Sequence, residues 1–223
     1  MEKILKNVIV IEGIDGCGKS SQVNLLVNAI RNYDKNMRLK VDAEPTGGPI
    51  GKLIRKHLSG EYTCSPESMI HMFAADRSLH LDDIRNFLDN PENSMVICDR
   101  YMYSSMVYQS LQMGSMDYVA KMNSEFPRPE LLIYMHMDSD RALARVHGRD
   151  TTKDLFEHQD FLSMCEKAYN KLINDEIKRD VCNILTVNAD APMHDVHAQI
   201  WNSVEKMIIR IHERSTNPTM SIY

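Results

Sequence analysis

Short apolar runs alternate along this chain with longer stretches whose apolar residues recur every three or four positions. Asn7 to Ile11 is β-branched and uninterrupted, the pattern of a strand buried on both faces. Gly13 to Gly18 reads as a turn. Ser20 to Asn32 reads as an amphipathic helix, with Val23, Leu26, Val27 and Ile30 at helical spacing. Leu39 to Ala43 predicts a short second strand and Pro45 to Pro49 a loop; Ile50, Leu53, Ile54 and Leu58 then mark a short helix. Ser65-Pro66-Glu67 opens a long helix running to Leu88. Ser caps well, Pro suits the first helical position, and Glu suits the positive end of the helix dipole. Met69, Met72, Phe73 and Ala74 fall on or near its inner face.

Pro91 to Ser94 interrupts the chain before a third buried strand, Met95 to Cys98, which ends at Asp99. Helices over 103–111 and 116–125 follow. Phe126 to Pro129 is a breaker and Leu131 to Met135 a fourth strand. Ser139-Asp140 caps a helix through about Val146, and His147 to Asp154 is polar. A long helix over about 157–178, a fifth strand from Ile184 to Val187 and a last helix over about 193–213 complete the pattern, with Ser215 to Tyr223 as a flexible tail. Buried strands joined by crossover helices imply an α/β fold: a five-stranded parallel sheet covered on both faces, in three layers. One domain over 1–214 accommodates every element. Ligands of such a fold sit at the carboxyl ends of its strands, where Gly13 to Ser20, Glu44 and Asp99 all fall.

Composition narrows the classes. With 223 residues, 43% of them hydrophobic and 26% charged, the chain is of ordinary globular type and can bury a core unaided. A net charge of -5, with no Lys/Arg block, excludes a broad basic face for nucleic acid polymers or a membrane surface. No apolar run approaches the roughly 18 residues of a membrane span, and the first residues lack the apolar core of a signal peptide. The five cysteines are widely spaced, with no CxxC pair, which argues against disulfides or a thiolate zinc site and for a cytoplasmic setting. His194 and His197 could share a helix face, but no Cys or carboxylate cluster joins them, so packing or solvation is the simpler reading. The 16 methionines have no evident role beyond filling core gaps.

Gly13-Ile14-Asp15-Gly16-Cys17-Gly18-Lys19-Ser20 matches GxxxxGK[ST] in full, after a strand and before a helix. In that setting backbone N–H groups and the helix N-terminus bind phosphate oxygens, and Ser21 continues the helix start. Lys19 would reach the β and γ phosphates of ATP, and the Ser20 hydroxyl could ligate Mg²⁺. Cys17 is a small loop residue with no resolving cysteine nearby. Asp15 is electrostatically out of place among phosphate donors; it could accept a hydrogen bond from an acceptor's sugar hydroxyl, or stabilise the turn.

Asp99 sits where a strand-end carboxylate holds Mg²⁺ or its water beside a phosphate loop. Arg100 suggests a second phosphorylated substrate, because a guanidinium grips phosphate through two bonds. Arg55 is a further candidate for that grip. Arg145 and Arg149 flank Gly148 in the polar stretch, which reads either as a lid over about 147–157 or as an exposed basic turn.

Glu12 through Ser20, Glu44-Pro45 with Pro49 to Gly51 and Arg55, Phe73-Ala74-Ala75-Asp76-Arg77, and Asp99-Arg100-Tyr101 through Ser104-Ser105 to Tyr108-Gln109 resemble, in order and spacing, the thymidylate kinase family. The resemblance runs from about residue 7 to 190. It implies the P-loop kinase fold with a lid and phosphorylation of dTMP to dTDP by ATP and Mg²⁺. It also implies a homodimer, with the 66–88 helix as one possible interface.

The resemblance implies roles residue by residue. Phe73 would stack on thymine and Arg77 would hydrogen-bond its exocyclic oxygen; at i and i+4 they share a helix face. Arg100 and Arg55 would hold the 5′-phosphate, Asp15 the 3′-hydroxyl. Tyr108 would fill the place of a 2′-hydroxyl, with Glu44, Ser104, Ser105 and Gln109 also at the dTMP site. This phosphate loop carries no Arg, so Arg145 and Arg149 would be catalytic together with Lys19 and Arg100. Departures from the family pattern are Ala43 in place of Arg, Leu155 in place of Arg at the end of the lid, and Ser21 in place of Thr. Two other readings stay open: another nucleotide or deoxynucleoside kinase, and a P-loop ATPase switch. Intact Lys19, Ser20 and Asp99 weigh against a dead binding module.

Overall fold

A computed structural model describes residues 4–147 and 159–216. Five strands form one all-parallel sheet: β1 (Ile4–Glu12), β2 (Arg38–Ala43), β3 (Ser94–Asp99), β4 (Arg128–His136) and β5 (Asn183–Asn188), in the order β2-β3-β1-β4-β5. The three inner strands are the ones with unbroken apolar runs. Val8 to Ile11, Met95 to Cys98 and Leu132 to Met135 are all at most 2% exposed, and each such side chain contributes roughly 1.5–3 kcal/mol on leaving water. Edge strands β2 and β5 are half-buried to exposed, apart from Val187.

Eight helices are present among the described residues, the first seven between strands and the last after β5: α1 (Lys19–Tyr33), α2 (Pro49–Leu58), α3 (Pro66–Phe87), α4 (Met102–Met113), α5 (Met116–Asn123), α6 (Ser139–His147), α7 (Gln159–Arg179) and α8 (Met193–Thr216). Helices α1 and α8 pack together on one face of the sheet, and α4, α5 and α7 lie together on the other with α3 beside them. The signals of α3 act as the sequence implied: Ser65 caps it by accepting the Ser68 N–H at 3.1 Å, and Pro66 opens it. Pro49, expected in the preceding loop, instead takes the first turn of α2.

Four boundaries stand out against expectation. Strand β1 begins at Ile4 rather than Asn7, and β4 at Arg128 rather than after the Phe126–Pro129 breaker; Ile4 pairs with Arg128 and Leu5 with Pro129. The two halves of this pairing are offset between Leu5 and Ile9, where Asn7 takes φ 62°. Its N–H bonds the Glu130 carboxylate (2.8 Å), a side chain of β4, instead of a backbone carbonyl. A proline fits beside such an interruption because its missing N–H has no regular partner there. Helix α5 ends at Asn123, and α8 continues to Thr216, into the stretch expected to be tail. No helix among the described residues is long and apolar enough to cross a membrane.

Candidate active site

The carboxyl ends of β1, β2 and β3 open onto one cleft of about 340 Å³, lined from Asp15 to Ser21, through Glu44, Arg55, Phe73 and Arg77, to Asp99, Arg100, Ser104, Tyr108 and Gln109. Its floor is the phosphate loop. Gly18 closes the loop at φ 95° as a helix N-cap without a side-chain bond, so the first N–H groups of α1 remain open to an anion. Gly16 takes φ 83°, and a Cβ there would lie 2.3 Å from the Ala142 carbonyl oxygen, so α6 rests directly on the loop. Lys19, 7% exposed, donates to the carbonyls of Gly13 and Ile14, both at 3.0 Å, and braces the loop from within. Cys17 and Ile14 are buried beneath the loop, and burial pushes the Cys17 thiol up, away from thiolate chemistry.

Ser20 Oγ donates to Asp99 Oδ2 at 3.2 Å, while Asp99 Oδ1 is buried with no hydrogen-bond partner in the protein. A hydroxyl beside a carboxylate with a spare, shielded oxygen suits a hard divalent cation that takes its other ligands from water and phosphate. The residues therefore fit Mg²⁺. Among the described residues no group of three or more His, Cys, Asp or Glu forms a separate metal site. His194 is exposed and faces Asp195 at 3.1 Å, in keeping with the solvated reading.

Arg100 is a hub of contacts at the cleft wall. Its backbone takes φ 72°, and its N–H bonds Ile11 O at 3.0 Å. The guanidinium donates to Asp15 and to Ser104 Oγ (2.8 Å) and lies 5.1 Å above the Tyr108 ring. Tyr108 in turn donates to Asp15 Oδ2 at 3.1 Å. Burial alone would raise the Asp15 carboxyl, but Arg100 and Lys19 more than offset it and hold it below its ordinary value. Asp15 is thus a charged acceptor at the cleft wall.

Behind Arg100 stands a fully buried carboxylate that sequence reasoning did not single out as functional. Glu12 accepts the N–H groups of Tyr101 (2.8 Å) and Ser104 (3.2 Å) and the hydroxyls of Ser104 (2.7 Å) and Tyr169 (2.8 Å). Burial pushes its carboxyl up against the pull of Arg100 and these donors. Tyr169 on α7 was missed as well; no local motif marks it, because it joins the site from another helix some seventy positions along.

The other wall is α3 with the chain leaving β2. Arg77, 1% exposed, bonds Glu44 Oε2 through Nε (2.9 Å) and Nη2 (2.7 Å), Ser105 Oγ (2.9 Å) and Asn123, with Tyr101 and Phe126 rings 5.3 and 5.4 Å away. Phe73, one turn earlier, lines the cleft half-buried. Asp76 takes the Thr46 N–H and hydroxyl, both at 2.7 Å, and Arg55 on α2 donates to the Pro45 carbonyl. Gln109 is 1% exposed, and its Oε1 has no partner in the protein. Ser105 does not line the cleft; it stands behind Arg77, a support the spacing did not distinguish from a direct contact. The Glu44 carboxylate lines the cleft but is committed to Arg77 and His80.

His80 is a further residue the sequence did not reveal. Its Nδ1 is 3.0 Å from Glu44 Oε1 and its Nε2 3.3 Å from Asp42 Oδ2. Burial disfavours the imidazolium, yet Asp42, Cys98 and Glu44 prevail and push its pKa up to about 12. The native state therefore keeps a proton that the unfolded chain releases near the ordinary histidine value of about 6.5. Stability should fall as pH rises above about 6.5, by roughly 1 kcal/mol per pH unit from this group. Urea unfolding between pH 6.5 and 8 should show a steeper loss for the native chain than for His80→Asn; equal slopes would refute the assignment.

Arg145 is not brought to the cleft. It is exposed on the last turn of α6 and donates to the Ala189 carbonyl at 3.4 Å. Arg149 and the lid expected over about 147–157 lie outside the described residues, apart from His147, which ends α6.

Comparison with known proteins agrees with this geometry. The family profile described as thymidylate kinase matches residues 11–200. A protein named as a thymidylate kinase in Methanococcus aeolicus is 38% identical over 207 residues, covering 92% of this chain and 100% of its own. One so named in Treponema pallidum is 36% identical, covering 91% and 97%. The solved thymidylate kinase of Candida albicans superposes with a TM-score of 0.73 at 23% identity, over 93% of each chain.

Proposed function

The chain belongs to the thymidylate kinase family, and on that premise we propose that its cleft transfers the γ-phosphoryl group of ATP to the 5′-phosphate of dTMP. The observation that carries the reading is the shared cavity. Lys19 and the open end of α1 floor it, while Phe73 and Arg77 face Arg100, Asp15 and Tyr108 within the same space. The acceptor is already an anionic phosphate, so no strong base is required, and the work is to position two polyanions and stabilise spreading charge.

In this reading the phosphate loop from Gly13 to Ser21 cradles ATP. Arg100 and Arg55 grip the acceptor phosphate, and Asp15 accepts from the 3′-hydroxyl. Tyr108 closes the space of a 2′-hydroxyl, Phe73 stacks on thymine, Arg77 meets its exocyclic oxygen, and the spare Gln109 acceptor faces its edge. Ser20 and Asp99 would hold Mg²⁺, which draws together the donor phosphates and neutralises their charge. Arg149 would act from the lid, about 147–157, and Arg145 from the last turn of α6 just before it, within a single domain spanning 1–214. Arg145→Ala and Arg149→Ala should each lower kcat by about 10- to 100-fold with dTMP KM within about twofold; near-normal kcat in both would remove the lid from the mechanism.

The protein is expected to act in the cytoplasm as a homodimer. Met69, 1% exposed, is buried and offers nothing to a partner; Val41 on edge strand β2 and Leu79 on α3, 43% and 56% exposed, are among the exposed large apolar side chains. The reading is tested by ³¹P NMR of a reaction with ATP, Mg²⁺ and dTMP. ADP and dTDP should appear in equal amounts and only when dTMP is present. Inorganic phosphate released without dTMP would instead mark an ATPase.

A further inference from the structure

Glu44 and Arg77 are paired in an unusual way. Both Arg77 contacts, Nε at 2.9 Å and Nη2 at 2.7 Å, fall on the single oxygen Oε2. A carboxylate free to turn would offer both oxygens to the guanidinium in a two-pronged pair. Here the second oxygen, Oε1, is turned to His80 Nδ1 at 3.0 Å, and His80 is anchored from behind by Asp42 Oδ2 at 3.3 Å. His80 and Arg77 lie three residues apart on α3, so they reach the same stretch of chain leaving β2. All three central groups are enclosed, with side-chain exposures of 1–2% for Arg77, Glu44 and His80. None of the three bonds the phosphate loop.

We infer that His80 is a positioning residue for base recognition: by holding one oxygen of Glu44, it confines Arg77 to the other and keeps the guanidinium turned toward the cleft. The inference rests on the proposed role of Arg77 at the thymine. Without the His80 contact, Glu44 rotates and draws Arg77 into a two-pronged pair, away from the base. ATP, bound at the phosphate loop, is unaffected.

Two substitutions of similar polarity separate this role from a structural one. His80→Asn places an amide N–H where Nδ1 stands and keeps the bond to Glu44. His80→Gln places it where Nε2 stands, facing Asp42, and loses Glu44. His80→Gln should raise KM for dTMP about tenfold, with kcat within about twofold and KM for ATP unchanged; His80→Asn should stay within about threefold of the native value. In an Arg77→Ala background, His80→Gln should add less than about twofold, because the residue it acts through is gone.

Equal KM shifts for Asn and Gln, or a full His80→Gln effect without Arg77, would overturn the proposal. If His80→Gln does not fold, Asp42→Asn, at the more exposed end of the relay, should give a shift of the same sign near threefold, and no shift would count against it. The native protein measured alongside separates the two levels of inference. Absence of dTMP-dependent turnover overturns the function and this role together; normal native turnover with indifferent His80 variants overturns this role alone.

Discussion

Lys19→Met should lower kcat by about 10²- to 10³-fold while leaving dTMP KM within about threefold. Methionine follows the lysine stem closely, so the packing of this 7%-exposed side chain is largely kept. What disappears is the charge. Two carbonyl contacts, Gly13 and Ile14 at 3.0 Å each, are lost, but so is the cost of enclosing an ammonium without its anion. The melting temperature should therefore move by only a few degrees. The catalytic loss is of another kind, because a fixed cation at the β and γ phosphates does most where charge spreads in the transition state. Steady-state kinetics with both substrates varied checks this. A variant retaining more than a tenth of native kcat would show that Lys19 serves the loop alone.

Arg100→Gly should cut kcat/KM for dTMP by about 10³-fold without a matching loss of stability. Losing a paired guanidinium whose partner stays charged costs several kcal/mol, and in the proposed reading the partner left unpaired is the acceptor phosphate. Stability follows a different sum. Arg100 sits at φ 72°, where a residue with a Cβ is strained by roughly 1–2 kcal/mol and glycine is not. Glycine forfeits the contacts to Asp15 and Ser104, yet Asp15 is half-exposed and can recruit water. Thermal unfolding should stay within a few degrees of native while activity collapses. A large fall in melting temperature, or activity that survives, would mean that Arg100 is a structural brace.

The sheet and its strand-end loop were legible because each rests on a local rule. Uninterrupted runs such as Val8 to Ile11 can be buried only between helices, and Gly13 to Ser20 is a motif whose backbone does the work. The start of β1 was not legible, because Asn7 diverts its N–H to Glu130 and no periodicity reports a side chain 123 positions away. At the site, residues adjacent to a motif were found and their supports were not. Arg100 could be named from its strand end; Glu12 behind it lay inside the motif, yet nothing in the sequence told that its carboxylate turns inward to Tyr101, Ser104 and Tyr169. His80 follows the same pattern, since its partners Asp42 and Glu44 come from the end of β2 and the chain just beyond it, 38 and 36 positions away. Ser105 was read as touching the ligand when it supports Arg77, because a hydroxyl one residue from the cleft has the same sequence signature in either role.

The central claim is that one cleft joins ATP to a phosphorylated deoxypyrimidine, and its most direct test is kcat/KM for a panel of acceptors with ATP and Mg²⁺. The account predicts dTMP first, dUMP lower by about 10- to 200-fold, as the loss of one methyl group allows, and no turnover of thymidine, which has no phosphate for Arg100. Thymidine phosphorylated as efficiently as dTMP, or ATP consumed at the same rate without any acceptor, would contradict it.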